Sequence, residues 1–82
     1  MTSKNVHIHY FAVLREKRGL NEETLQTNAE NPKELYSELQ KRYNFNLSLD
    51  CLKVAINEEF SGWDTLLKSE DRVVFIPPVA GG

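Results

Sequence analysis

Cysteine is almost missing from this 82-residue sequence: Cys51 stands alone. One thiol can neither close an internal disulfide nor build a thiolate metal cage. Placed between Leu49 and Leu52, it reads as a buried structural thiol. Long apolar runs are missing too. No stretch approaches the ~20 residues that span a bilayer, and the polar start from Met1 to Asn5 lacks the apolar centre of a targeting signal. The expected setting is a reducing, cytoplasmic one with no membrane partner. Nor is there a concentration of positive charge. Ten Lys and Arg against twelve Asp and Glu give a formal charge of −2, which leaves nucleic-acid binding without its electrostatic footprint. Lys4, Arg15, Lys17 and Arg18 make a small basic zone, read as a solvated surface patch.

The catalytic constellations are equally sparse. His7 and His9 are two apart and share a strand face, but no carboxylate or cysteine stands at matching spacing, so they read as surface histidines and no metal is expected. Ser61 has no histidine partner legible in the sequence, and no glycine-rich phosphate loop exists. The adjacent pairs Glu22-Glu23 and Glu58-Glu59 should point apart and serve solubility. A domain of this length buries only roughly 60–65% of its unfolded surface, which leaves little room for an internal active site. These absences favour a carrier, binding module or subunit over a free-standing enzyme.

What is present begins with a strand. Val6, Ile8 and Tyr10 alternate with His7, His9 and Phe11, the period-2 pattern of a half-buried strand over Val6 to Phe11. Ala12 to Leu14 reads as its exit, and Arg15 to Gly19 as a charged turn closed by glycine. A weaker strand around Glu23 to Thr27 completes a hairpin. A helix follows. Asn31 is placed to cap it, Pro32 fits the first helical position, and Glu34 is placed to close a capping box. Leu35, Leu39 and Tyr43, with Tyr36 alongside, form its apolar stripe, and Lys41 and Arg42 suit the dipole of its last turn. Cys51 to Asn57 reads as a third strand, Asn57-Glu58-Glu59 as a turn, and Phe60 to Leu67 as irregular or a short strand and turn. Arg72 to Ile76 is the final strand, stopped by Pro77 and Pro78. With first and last strands adjacent, this order gives an α+β fold of the β-grasp, or ubiquitin-like, layout: a mixed sheet covered on one face by a helix. The division expected is residues 1–76 as the domain and 77–82 as an extended tail.

The tail is where chemistry enters. It reads Pro77-Pro78-Val79-Ala80-Gly81-Gly82. The prolines lack N–H donors and favour an extended path, so the tail cannot return as an extra strand. Six residues reach ~20 Å at ~3.3 Å each. The two final glycines carry no Cβ and can thread a narrow channel in another protein. Such a tail delivers one group, the terminal carboxylate of Gly82. Activation as a mixed anhydride with AMP, then attack by a sulfur donor, would leave a thiocarboxylate able to pass sulfur on.

Two motifs, Phe11-Ala12-x-Leu14-Arg15-Glu16-x-x-Gly19 near the start and Pro77-Pro78-Val79-Ala80-Gly81-Gly82 at the end, make the chain resemble the MoaD family, the small sulfur-carrier subunits of molybdopterin synthase. The resemblance covers nearly the whole chain, and the terminal motif is its specific part. It implies a place in molybdenum cofactor biosynthesis and a role as a subunit with no catalysis of its own. An E1-like adenylating enzyme (MoeB type) would use ATP to activate Gly82, a sulfur donor protein would supply sulfur, and a large subunit (MoaE type) would use two loaded copies to build the molybdopterin dithiolene within a heterotetramer. No permanently bound cofactor is implied. One departure is Ser69-Glu70-Asp71, where the family usually has glycine before the aspartate; an altered turn is expected there, with function intact. Rival readings are a carrier for thiamine or tRNA thiolation, a ubiquitin-like protein modifier, and a binding module with an inert tail; the Pro77-Pro78 entry favours the first family.

Partner contacts are expected on the apolar residues that the core does not need. Phe11 lies on the otherwise polar side of the first strand and Phe60 follows a charged turn. Val74 and Ile76 share a face of the last strand while Val73 and Phe75 fill the core side. Phe11, Phe60 and Ile76 match in position the family's hydrophobic contact with the large subunit. Arg15, just after the first strand, could pair with acids on a partner near the tail.

Overall fold

Alternation along the first strand decides the layering. In the computed structural model, which describes residues 3–77, β1 (Lys4–Tyr10) buries Val6, Ile8 and Tyr10 completely while His7 and His9 face the other way. β2 (Glu22–Thr27) pairs antiparallel with β1, and β5 (Arg72–Ile76) pairs parallel with it. β3 (Lys53–Ile56) runs antiparallel to β5, and the short β4 (Glu59–Ser61) closes the far side. Among the described residues these make one five-stranded sheet in the order β2-β1-β5-β3-β4. The first and last strands are thus neighbours, and the expected mixed sheet is present.

The helix α2 (Pro32–Tyr43) covers the core face with Leu35, Tyr36 and Leu39. Asn31 caps it: its side-chain oxygen accepts from the Glu34 N–H at 2.9 Å, a contact worth about 1 kcal/mol. The capping box closes one residue early, because Glu34 accepts from the N–H of Glu30 and not from that of Asn31. Tyr36 stacks on Phe45 and packs at a tilt against Trp63 and Phe75, which ties the helix to β5 and to the loop after β4.

Three readings are corrected. Ala12 to Gly19 is not a strand exit and charged turn but a helix, α1 (Ala12–Arg18), with Phe11 outside β1 at its N-cap. Leu14 is the side chain that α1 buries, and Gly19 ends it at φ 82°, donating its N–H to the Arg15 carbonyl. The third strand begins at Lys53, because Leu49–Cys51 winds into a 3-10 turn. That turn leaves Cys51 exposed, so it is not a buried structural thiol.

The β3–β4 turn is two residues long, and both Asn57 (φ 52°) and Glu58 (φ 75°) are left-handed, the signature of a type I′ hairpin. Asn57 is held there: it donates to Asp71 at 2.9 Å and accepts from the Arg72 N–H at 3.0 Å, which clamps the turn to the start of β5. Glu58 is exposed and has no such tie. Glu58→Gly is therefore expected to raise stability by about 0.5–1 kcal/mol, since relief of the left-handed conformation exceeds glycine's entropy cost. A urea midpoint below wild type would contradict this. The Ser69-Glu70-Asp71 departure has a similar basis. Glu70 takes φ 72°, a conformation that favours glycine, while its N–H bonds the Asn5 carbonyl at 2.6 Å.

Candidate docking face and tail exit

The sheet register gathers the outward apolar residues into one row. Val74 of β5 lies between His9 of β1 and Ala55 of β3, and Ala55 lies opposite Phe60 of β4. Cross-strand partners point to the same face, so Phe60, Ala55, Val74 and His9 cross four strands in order. Phe11 continues the row at its β1 end, its ring edge-on to His9 with centroids 5.1 Å apart. Ile76 lies two residues beyond Val74, on the same face, and Lys53 is its cross-strand partner. Phe11, Phe60 and Ile76 are thereby brought to one face. Phe60 is 73% exposed and Phe11 41%, whereas Ile76 and Val74 are half-buried. Val73 and Phe75 are fully buried on the other side, as their alternation predicts.

β1, β4 and β5 all run toward the same end of the sheet, so Phe11, Phe60 and Ile76 lie near the point where the chain leaves β5. Pro77 is buried there. The remaining tail positions, Pro78, Val79, Ala80, Gly81 and Gly82, lie outside the described residues.

Arg15 is exposed on α1, just past the end of β1. Its charge is expected to act on the approach of a partner more than on affinity, because an exposed pair contributes only ~0–1 kcal/mol. Arg15→Ala should lower the association rate with an acidic partner protein at low salt and leave it unchanged at high salt. Stopped-flow rates for Arg15→Ala equal to those of wild type at low as well as high ionic strength would contradict that role.

Lys4 and Arg18 of the basic zone are not free, whereas Lys17, like Arg15, is exposed. Lys4 donates to the Ala29 carbonyl at 2.9 Å. Arg18 grips both carboxylate oxygens of Glu23, at 3.0 and 2.9 Å, and lies 4.1 Å over the Tyr43 ring. Glu23 is consequently no solubility residue. It shares the core-side face of β2 with Leu25 and Thr27, and it also accepts from the Tyr10 hydroxyl at 2.6 Å. The Arg18 guanidinium, helped by the Tyr10 hydroxyl and opposed by partial burial, holds the Glu23 carboxyl below its ordinary range. Burial and the Glu23 charge push the Tyr10 phenol up. A carboxylate with a depressed folded pKa stabilises the fold fully above its unfolded value, and that contribution fades as pH falls through the folded value. Glu23→Gln should cost about 1–3 kcal/mol at neutral pH. The gap to wild type should narrow below about pH 4.3. Urea melts of both proteins from pH 7 to 3 would check it; a constant gap would contradict it.

Glu22 is exposed, with His9 at 3.9 Å. His7 is half-buried and tied on both sides, to Thr24 at 3.0 Å and to Glu70 at 2.8 Å. Among the described residues, no group of three His, Cys, Asp or Glu side chains could hold a metal. Ser61 donates to Thr65. Among them, too, no helix is long and apolar enough to cross a membrane.

The ThiS family model matches residues 8–82, a stretch that includes both the exposed apolar row and the final glycines. No curated protein matches the sequence. Among solved structures, the Pyrococcus furiosus protein described as molybdopterin converting factor subunit 1 is 30% identical, with 94% of this chain and 100% of that chain covered and a TM-score of 0.77. Small archaeal modifier protein 1 from Methanosarcina acetivorans is 25% identical over 100% of both chains, with a TM-score of 0.78. A chain in the Helicobacter pylori complex of molybdopterin-converting factor subunits 1 and 2 is 28% identical, covering 95% of this chain and 99% of that one at a TM-score of 0.64. The chain belongs to the ThiS family, with the ubiquitin-like β-grasp fold of the MoaD-type sulfur carriers.

Proposed function

We propose that this chain is the sulfur-carrying subunit of a molybdopterin synthase and that its reactive group is the Gly82 carboxylate. The observation that carries the reading is the Pro77-Pro78-Val79-Ala80-Gly81-Gly82 ending within a family match that runs through residue 82. In the proposed sequence, an E1-like enzyme of the MoeB type joins the carboxylate to the AMP portion of ATP and releases pyrophosphate. A sulfur donor protein carrying a persulfide then attacks the acyl carbon through its outer sulfur and AMP leaves. A thiol cleaves the resulting acyl disulfide, forming a disulfide with the donor's sulfur, and the thiocarboxylate is released. A large subunit of the MoaE type takes up the tail, and the pterin precursor held there receives the sulfur to form the dithiolene. The solved subunit 1–subunit 2 complex of the Helicobacter pylori relative supports such a partner. The docking row beside the tail exit is the surface that would hold it. This domain's part is to dock and to extend the tail.

A second reading is favoured by the similarity to the Methanosarcina acetivorans modifier protein. In it, the activated Gly82 acylates lysines of other proteins. The two readings separate in one reconstitution. Sulfur-loaded protein is mixed with purified large subunit and the pterin precursor, and the dithiolene product is assayed. Cell extracts of the host are probed in parallel for higher-mass conjugates. Product formation without a conjugate ladder supports the carrier reading; a ladder that disappears with Gly82, and no product, supports the modifier.

A further inference from the structure

Lys53 stands at a position that neither the fold nor the tail chemistry requires. It opens β3 in register with Ile76, and because the next residue, Val54, is buried in the core, Lys53 projects to the outer face beside the tail exit. It forms no ion pair among the described residues, whereas Arg18 and Arg42 each hold a carboxylate. It lines a groove of about 490 Å³ with Leu52, Val54, Phe60, Ser61 and Trp63. Trp63 is fixed there by stacking on Phe75, 6.0 Å between centroids and 10° apart in plane. The groove borders β4, the last strand of the sheet, whose outer edge pairs with no strand among the described residues. Through Phe60 it is continuous with the apolar docking row.

We infer that this groove receives an extended segment of a partner protein, one that carries a carboxylate next to an apolar side chain. An unpaired strand edge supplies N–H and C=O groups to an extended chain. Phe60 and Trp63 offer an apolar seat, and Lys53 offers the charge that selects an acid. The chain's own tail is a poor occupant of a strand edge, since Pro77 and Pro78 lack N–H donors. The inference rests on the carrier reading and assigns the partner's chemistry at that surface.

The test uses the full chain as wild type, Lys53→Glu, Lys53→Gln and Lys53→Arg, titrated calorimetrically with the purified large subunit and with the purified activating enzyme. Lys53 is exposed, so all four proteins should melt alike. Lys53→Glu is expected to weaken at least one partner by about tenfold and Lys53→Gln by less, with Lys53→Arg near wild type. The differences should shrink at high salt. Carbodiimide coupling of the wild-type complex should join the Lys53 amine to an Asp or Glu of that partner. Unchanged binding of Lys53→Glu to both partners would overturn the inference, as would a crosslink from Lys53 only to this chain's own Gly82. Failure of wild type to bind either partner would instead remove the carrier reading, and this inference with it.

Discussion

A chain extended by one residue after Gly82 is expected to take up no sulfur, although it folds and docks as the wild type does. Extension turns the terminal carboxylate into an amide, and an amide cannot be adenylated at that atom. Deleting Gly82 should have the same outcome for a different reason: the carboxylate retreats by ~3.3–3.6 Å, far beyond the tolerance of an aligned reaction. Gly82→Val and Gly81→Val keep the carboxylate but place a branched Cβ where a narrow channel would enclose the chain. Thermal stability should hardly change in any of these variants. The elements that bury the core, from Val6 of β1 to Phe75 of β5, all precede the altered positions. Thiocarboxylate formation with the activating enzyme, ATP and a sulfur source, measured beside a thermal melt, separates chemistry from folding. Wild-type sulfur loading on an extended chain, verified uncleaved, would contradict the carrier function.

The next largest effect is expected at Phe60. Its side chain is 73% exposed at the end of the apolar row, so the fold gains little from it. A partner that covers the ring would remove most of that apolar area from water. Phe60→Ala should therefore weaken the complex with the large subunit by ~1–3 kcal/mol and barely move the melting temperature. Calorimetry and a thermal melt on the same preparations check both halves. Unchanged affinity with a large loss of stability would place the ring in the fold's service instead. A buried aromatic such as Phe75 should behave in the opposite manner, since it packs at a tilt against Tyr36 in the core and stacks on Trp63 at the core's margin.

Much of this architecture is legible in the residues because the patterns are local and unopposed. Period-2 alternation places Val6 and Ile8 inward, and Val73 and Phe75 against Val74 and Ile76. Asn31-Pro32 starts α2 where its chemistry demands. The exposed apolar row is legible for the same reason: Phe11 and Phe60 are aromatic residues at positions that the core does not need. What escapes is what depends on distant partners. α1 is only seven residues long, too short for a repeating apolar stripe, and it is recognisable chiefly from Leu14 with Gly19 as its stop. The Glu23–Arg18–Tyr10 cluster joins β2, α1 and β1, and an adjacent pair of glutamates gives no sign that one of them turns inward. Cys51 looks buried between leucines, but a 3-10 turn rotates it outward. The place of Lys53 beside Ile76 follows from strand register, which sequence alternation alone does not supply.

The most direct measurement is the intact mass of the protein isolated from its own host, with fragmentation to locate any change. The carrier account predicts a species in which one oxygen of the Gly82 carboxylate is replaced by sulfur, absent when the activating enzyme is deleted. Sulfur found on the exposed thiol of Cys51, with Gly82 carrying only its ordinary carboxylate, would contradict it.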